Sequence, residues 1–142
     1  MDSQPVLVIG DLICDHYVWG DVSRVSPEAP VQVLNWEREA NRAGGAANVA
    51  LNLASLGYNV KLAGLVGQDV DGKWLRAELA RHKIDTTAIV VSKTRPTTRK
   101  LRIIARGQQL LRVDREDRNQ IGHQDERLLL QRIRRVRHRA CG

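Results

Sequence analysis

The chain is poor in cysteine, proline and long apolar runs, and each shortage removes a class of protein. Cys14, in the first apolar segment, and Cys141, next to the end, are its two cysteines. They make neither a disulfide framework nor a metal-ligand spacing, so both are expected as reduced thiols. Four prolines, with 42% hydrophobic and 27% charged residues, rule out collagen-like and disordered chains. The longest apolar stretches, such as Val6-Leu7-Val8-Ile9, fall far short of the roughly 18 residues of a membrane span. Met1-Asp2-Ser3-Gln4-Pro5 lacks the basic and apolar regions of a secretory signal, which makes the cytoplasm the expected compartment. His16, His82, His123 and His138 lie in unrelated segments without i, i+4 or cysteine partners, so no metal site is expected. No Gly-x-Ser-x-Gly elbow and no cysteine nucleophile motif occur. What remains is 142 residues, a soluble chain of about one domain with enough apolar side chains to bury a core.

The net charge of +7 suggests nucleic acid until its distribution is examined. From Arg127 onward come six arginines and no acid, whereas residues 1–126 hold 17 basic and 16 acidic side chains. The body is electrostatically ordinary, and the excess belongs to a short tail. No nucleic-acid or membrane partner is expected.

Val6 to Ile9, closed by Gly10-Asp11, reads as a buried core strand ending at a loop. Pro27 and Pro30 punctuate the next segment, and Val31 to Leu34 suggests a short strand outside the main sheet. Gly44-Gly45 opens an Ala/Leu-rich helix from Ala46 to Leu56, stopped at Gly57. Its apolar positions run nearly all round, so it should be buried. Val60–Val66 reads as a strand, Val70–His82 as an amphipathic helix with Trp74, Leu75 and Leu79 on one side, and Ala88–Val91 as a third strand. This β-α-β-α-β order implies a parallel sheet with right-handed crossovers and helices on its faces. After Pro96, Thr97–Arg106, Gly107 and Gln108–Asp114 read as a hairpin. Alternation places Thr98, Lys100, Arg102 and Arg106 on one face of its first strand. Leu128 to Arg139 can be drawn as a helix, but its arginines leave no clean polar face.

Several motifs carry chemistry. Gly67-Gln68-Asp69-Val70-Asp71-Gly72-Lys73 matches seven positions of a phosphate-binding P-loop, but Trp74 stands where a Ser or Thr hydroxyl must hold magnesium. Two aspartates would also point at the phosphates, so a plain strand-to-helix turn is expected. Gly44-Gly45, followed by Asn48 with its donor and acceptor, would let a ligand approach the backbone at a helix start. A tight helix entry explains the same glycines, and both readings stay open. Asp11 and Asp15 flank the C-terminal end of the first strand, where open parallel sheets place their crevices, although loop solvation would also account for them. The basic hairpin face could grip an anion; spacing alone favours a solvated strand.

Taken together and in this order, the pieces resemble the ribokinase-like (PfkB-type) carbohydrate kinases. Gly44-Gly45-Ala46, Asn48, Ala50, Gly57 and Gly67 stand at the separations of the first family signature. Val8–Asp15, Ser23–Val31 and Arg106–Asp114 look like the branch that phosphorylates D-glycero-β-D-manno-heptose 7-phosphate for ADP-heptose and lipopolysaccharide core, a branch often fused to a nucleotidyltransferase. The resemblance covers about Val6 to Asp117.

It implies the N-terminal part of a three-layer α/β fold with a mostly parallel sheet and a small β lid. The lid would comprise segments 17–36 and 97–114. It implies acceptor-sugar binding by Asp15, Gly44, Gly45 and Asn48, a kinase using ATP and Mg²⁺, and a possible homodimer through the lid. Lys100 and Arg106 are our choice of cations for the sugar phosphate. The family's second signature, an Asp-Thr-x-Gly-Ala-Gly-Asp segment carrying the catalytic base, does not occur in this sequence. A chain of these residues alone is therefore expected to be inactive, and its own ATP binding is doubtful. Residues 127–142 form an arginine-rich tail that does not align with the family and is expected to be non-native, against the alternatives of a true basic tail and ordinary divergence. A kinase of the same fold for another sugar or nucleoside, and a non-catalytic sugar-phosphate-binding remnant, are the competing functions.

Overall fold

The computed structural model describes residues 4–138. Ten elements follow in order: β1 Val6–Ile9, β2 Leu12–Val25, β3 Gln32–Gly45, α1 Ala46–Ser55, β4 Val60–Gly67, α2 Val70–Arg81, β5 Asp85–Ser92, β6 Thr98–Ala105, β7 Gln108–Arg115 and α3 His123–His138. They build two sheets. The first is three-stranded and parallel, in the order β1-β4-β5. The second has the order β3-β2-β6-β7, with β2 antiparallel to β3, parallel to β6, and β6 antiparallel to β7.

The parallel sheet is covered on both sides, which gives three layers. Alternation along β4 sends Val60, Leu62 and Val66 to a core shared with α1 and α2, where Ala47, Ala50, Leu75 and Leu79 are buried. Ala63 points the other way and joins Ala88 under Leu129, Ile133 and Val136 of α3. Those three α3 residues fall at i, i+4 and i+7, one apolar stripe between arginines. The helix crosses the 126/127 position where the charge pattern changes, and Arg132 donates to the Ile89 carbonyl. Residues 139–142, including Cys141, and residues 1–3 lie outside the described part.

The sequence contains no phenylalanine, so this core is aliphatic, with Trp74 packed at its margin. Helix α1 departs from expectation. It buries Ala47 and Ala50 but leaves Val49 about half exposed, because it rests on the sheet with one side and, among the described residues, meets no second layer on the other. The strands β2 and β3 also run beyond the expected lid segment 17–36, from Leu12 to Val25 and from Gln32 to Gly45. Val31–Leu34 overlaps only the first residues of β3, which runs from Gln32 to Gly45.

The hairpin β6–β7 turns through Arg106 and Gly107, both at positive φ (51° and 77°) between the paired Ala105 and Gln108. Two left-handed central residues give the turn that suits the strand twist. Arg106 therefore leaves the strand face it was expected to share with Lys100.

Candidate functional site

A cavity of about 690 Å³ opens where the C-terminal ends of β1 and β4 meet the second sheet. Its walls include Gly10 and Asp11 after β1, Gly64 to Val66 of β4, Thr98 and Lys100 of β6, and residues 116–121. Crevices of open α/β sheets lie at this end of the strands. The Arg95 guanidinium anchors the 116–121 wall by donating to the carbonyls of Asp117, Asn119 and Gln120.

The register of the second sheet gathers one charged face toward this side. Asp15 stands opposite Arg42 of β3 and Lys100 of β6; Tyr17 stands opposite Arg102; Arg102 stands opposite Arg112. Directly paired residues share a face. Arg102 donates to Asp15, which holds the guanidinium pKa above its ordinary value. The Arg42 and Arg102 guanidiniums lie 5.1 and 5.3 Å from the Tyr17 ring centroid, and Arg38 lies 3.7 Å from that of Trp19. Tyr17 and Trp19 stack at 5.5 Å. Among the described residues, no carboxylate comes within ion-pair reach of Lys100 or Arg42. Asp114, opposite Lys100, adds a second carboxylate that pairs with Arg112 at 2.9 Å; with Arg42, Lys100, Arg102 and Arg112 the face still carries more positive than negative charge and suits an anionic ligand.

Asp15 thus lies within β2 and not in a loop, with its side chain 17% exposed. Its Oδ2 sits against Gly44, where any Cβ would collide with it. Gly45 caps α1 at φ 58°, a conformation that favours glycine, and a Cβ there would strike the Asp11 carbonyl. That carbonyl accepts from Ala46 N at 2.9 Å, which ties the start of β2 to the start of α1. Asn48 lies exposed in the first turn of α1. Close packing accounts for both glycines, and the carboxylate beside them keeps a ligand role available.

Arg106 stands apart. At the hairpin turn its Nε donates to Asp21 at 3.0 Å and its NH2 to the Val22 carbonyl at 3.0 Å. Five strand residues separate it from Lys100, which is a distance of about 20 Å along the strand. Arg42 was missed because Gln32–Gly45 was not read as one strand; an Arg38/Arg42 pair four residues apart would then have marked the face.

The P-loop-like segment is the expected turn. Gly67 N is bonded to Thr97 Oγ1 (2.8 Å), Gln68 N to the Ser92 carbonyl (3.0 Å), Gly72 N to Asp69 Oδ1 (2.8 Å) and Lys73 N to the Asp69 carbonyl (3.0 Å). These amides are already satisfied, so the segment does not fit nucleotide phosphates. No group of three metal-ligating side chains occurs among the described residues. No helix there is long and apolar enough to cross a membrane.

Cys14 is buried with its thiol pushed up to about 12, first by burial and then by the Asp71 charge. It is expected to resist a thiol-labelling reagent at pH 8 in the native protein and to react on addition of denaturant. With Cys141 replaced by serine, labelling at the rate of an unfolded peptide in native buffer would contradict the buried placement of Cys14.

Among curated proteins, the chain is 46% identical over 134 residues to the bifunctional protein HldE of Helicobacter hepaticus, covering 94% of this chain and 28% of that protein. It is 55% identical over 111 residues to the bifunctional protein HldE of Helicobacter pylori strain HPAG1, covering 78% and 24%. It spans about a quarter of the length of these relatives. Among solved structures, a ribokinase from Cryptococcus neoformans var. grubii serotype A in complex with ADP superposes with a TM-score of 0.61 at 27% identity, covering 80% of this chain and 34% of that one. Residues 3–138 match the pfkB family carbohydrate kinases, and with the three-layer fold in place the chain belongs to that family.

Proposed function

We propose that this chain forms the acceptor-sugar side of an ATP-dependent kinase that phosphorylates D-glycero-β-D-manno-heptose 7-phosphate at its anomeric hydroxyl. The product is the 1,7-bisphosphate on the route to ADP-heptose. The resemblance to the proteins named HldE supports the substrate. The observation that carries the reading is the Asp15 carboxylate set against Gly44 on a face with Arg42, Lys100 and Arg102. A phosphorylated sugar needs both kinds of group.

Asp15 accepts hydrogen bonds from sugar hydroxyls, Gly44 and Gly45 let the Asp15 carboxylate and the Asp11 carbonyl come close to the helix start, and Asn48 donates and accepts there. Lys100 pairs with the sugar phosphate at the cavity wall. Arg106, at the far turn, can reach a phosphate only by leaving Asp21. The second sheet acts as a lid that excludes water from the acceptor. ATP and Mg²⁺ belong to the whole kinase in this proposal. A chain of these 142 residues is expected to bind the sugar without consuming ATP, since its sequence holds no Gly-Ala-Gly-Asp segment.

Titration calorimetry of the chain with heptose 7-phosphate, unphosphorylated heptose and a nucleoside tests the assignment. Only the phosphorylated sugar should bind, and Lys100→Ala should weaken it by about tenfold or more, the worth of one charge-assisted contact. Equal or tighter binding of the unphosphorylated ligands would sink the heptose phosphate assignment.

A further inference from the structure

The second sheet meets the core at two junctions. One is the start of β2 and the end of β3, tied by Ala46 N to the Asp11 carbonyl. The other is the start of β6 and the end of β7, and it is built from charge. Asp69 and Asp71, in the cap and first turn of α2, face Arg99 at the start of β6 and Arg115 at the end of β7. Arg115 NH2 donates to Asp71 Oδ2 at 2.8 Å and to Asp69 Oδ2 at 3.2 Å, and Arg99 NH1 lies 3.6 Å from Asp71 Oδ2. Thr97, at the head of β6, donates its N–H and hydroxyl to the two Asp69 oxygens at 2.9 and 2.7 Å.

Nothing in an isolated strand-to-helix turn calls for this arrangement. Asp69 alone caps the helix, yet Asp71 keeps a side chain only 7% exposed against the base of the second sheet. A buried carboxylate needs a fixed cation, and both available guanidiniums belong to the second sheet. Its charge therefore favours one stance of that sheet over any other.

We infer that Asp69, Asp71, Arg99 and Arg115 form a latch that sets the stance of the second sheet over the cavity, with Asp71 and Arg115 as positioning residues for the acceptor site. The second half of this inference rests on the function proposed above; the latch itself is measured without ligand. The Arg115 side chain is 48% exposed, so its truncation spares the core.

Spin labels at Arg24→Cys on β2 and Arg76→Cys on α2, with Cys141 replaced, report the distance between sheet and core. The parent should give one narrow distribution. Arg115→Ala should broaden it about twofold, since it removes the Arg115 contacts to Asp69 and Asp71 and leaves those of Arg99 and Thr97, and Arg115→Lys should restore most of the narrowness. Arg81→Ala, on the solvent side of α2, is the control and should change nothing. An unchanged width in Arg115→Ala, or a lysine variant as broad as the alanine one, overturns the latch. Melting temperature is read alongside, since a role in stability alone would lower it without broadening the distances.

In the same variants, heptose 7-phosphate affinity should fall about threefold to tenfold in step with the broadening, the range of a modest coupling between sites. Broadening with unchanged affinity overturns the positioning role. Absence of binding in the parent overturns the proposed function, and the distances still decide the latch.

Discussion

Asp15→Asn is expected to weaken heptose 7-phosphate binding by about 10- to 150-fold, since a hydrogen bond to a charged group contributes about 1.5–3 kcal/mol. The amide oxygen can still accept from Arg102, which donates to the Asp15 carboxylate in the parent, so the sheet should keep its form. The neighbouring face would lose one negative charge beside Arg42 and Lys100. Inorganic phosphate should therefore bind the variant as well as or better than the parent, while the sugar phosphate binds worse. Calorimetry with both ligands separates the two effects. A parallel loss of both would mean that the substitution had damaged the face, and no loss of either would remove Asp15 from the sugar site.

Asp69→Ala should destabilise the chain by about 3 kcal/mol, combining a lost helix cap with the stranded Thr97 groups. Urea unfolding at pH 7 measures it. The same carboxylate gives a pH signature. Burial alone would raise its pKa, but donation from Gly72 N, from the Thr97 hydroxyl and N–H, and the Arg115 charge together hold it below the ordinary value of 3.8. The folded state thus binds this proton more weakly than the unfolded state does. The resulting stability is complete above the ordinary carboxylate value and is lost as pH falls through the lower folded one. Unfolding midpoints measured from pH 6 down to pH 2 should fall steeply at the acid end in the parent and less steeply in Asp69→Asn. Equal slopes would show that Asp69 is not the titrating group.

Much of the α/β layer was legible because its segments carry their own periodicity. Val60–Gly67 and Asp85–Ser92 are apolar strands between turn residues, and Leu75 and Leu79 lie one helical turn apart. The β6–β7 hairpin was legible from Gly107 and the flanking alternation. The β2 strand was not. Leu12 to Val25 mixes Asp15, His16 and Asp21 with Tyr17 and Trp19, and its polar residues are tolerated only because they meet partners on β3 and β6. His16 Nδ1 meets Asn41, and Asp15 meets Arg102. A strand whose pattern depends on cross-strand pairs gives little signal in its own sequence.

The candidate site divides the same way. Asp15, Gly44, Gly45, Asn48 and Lys100 were singled out from motif and alternation, and the fold sets Asp15 against Gly44 and Lys100 on the cavity wall. Arg106 was grouped with Lys100 by alternation, which holds only while the strand continues, and the two-residue turn ends it. Arg42 and the Asp71–Arg115 pair gave no local sign of their roles, since these depend on residues far apart in the chain, 44 positions for Asp71 and Arg115.

By itself the sequence determined the parallel α/β layer, the glycine-rich helix entry and the family, because hydrophobic period and turn chemistry act over short spans of chain. Only the tertiary structure decided that Asp15 lies in a strand, which cations share its face, and how charge ties the second sheet to the core. Those outcomes follow from strand register and long-range ion pairing, and both exist only once distant segments have met.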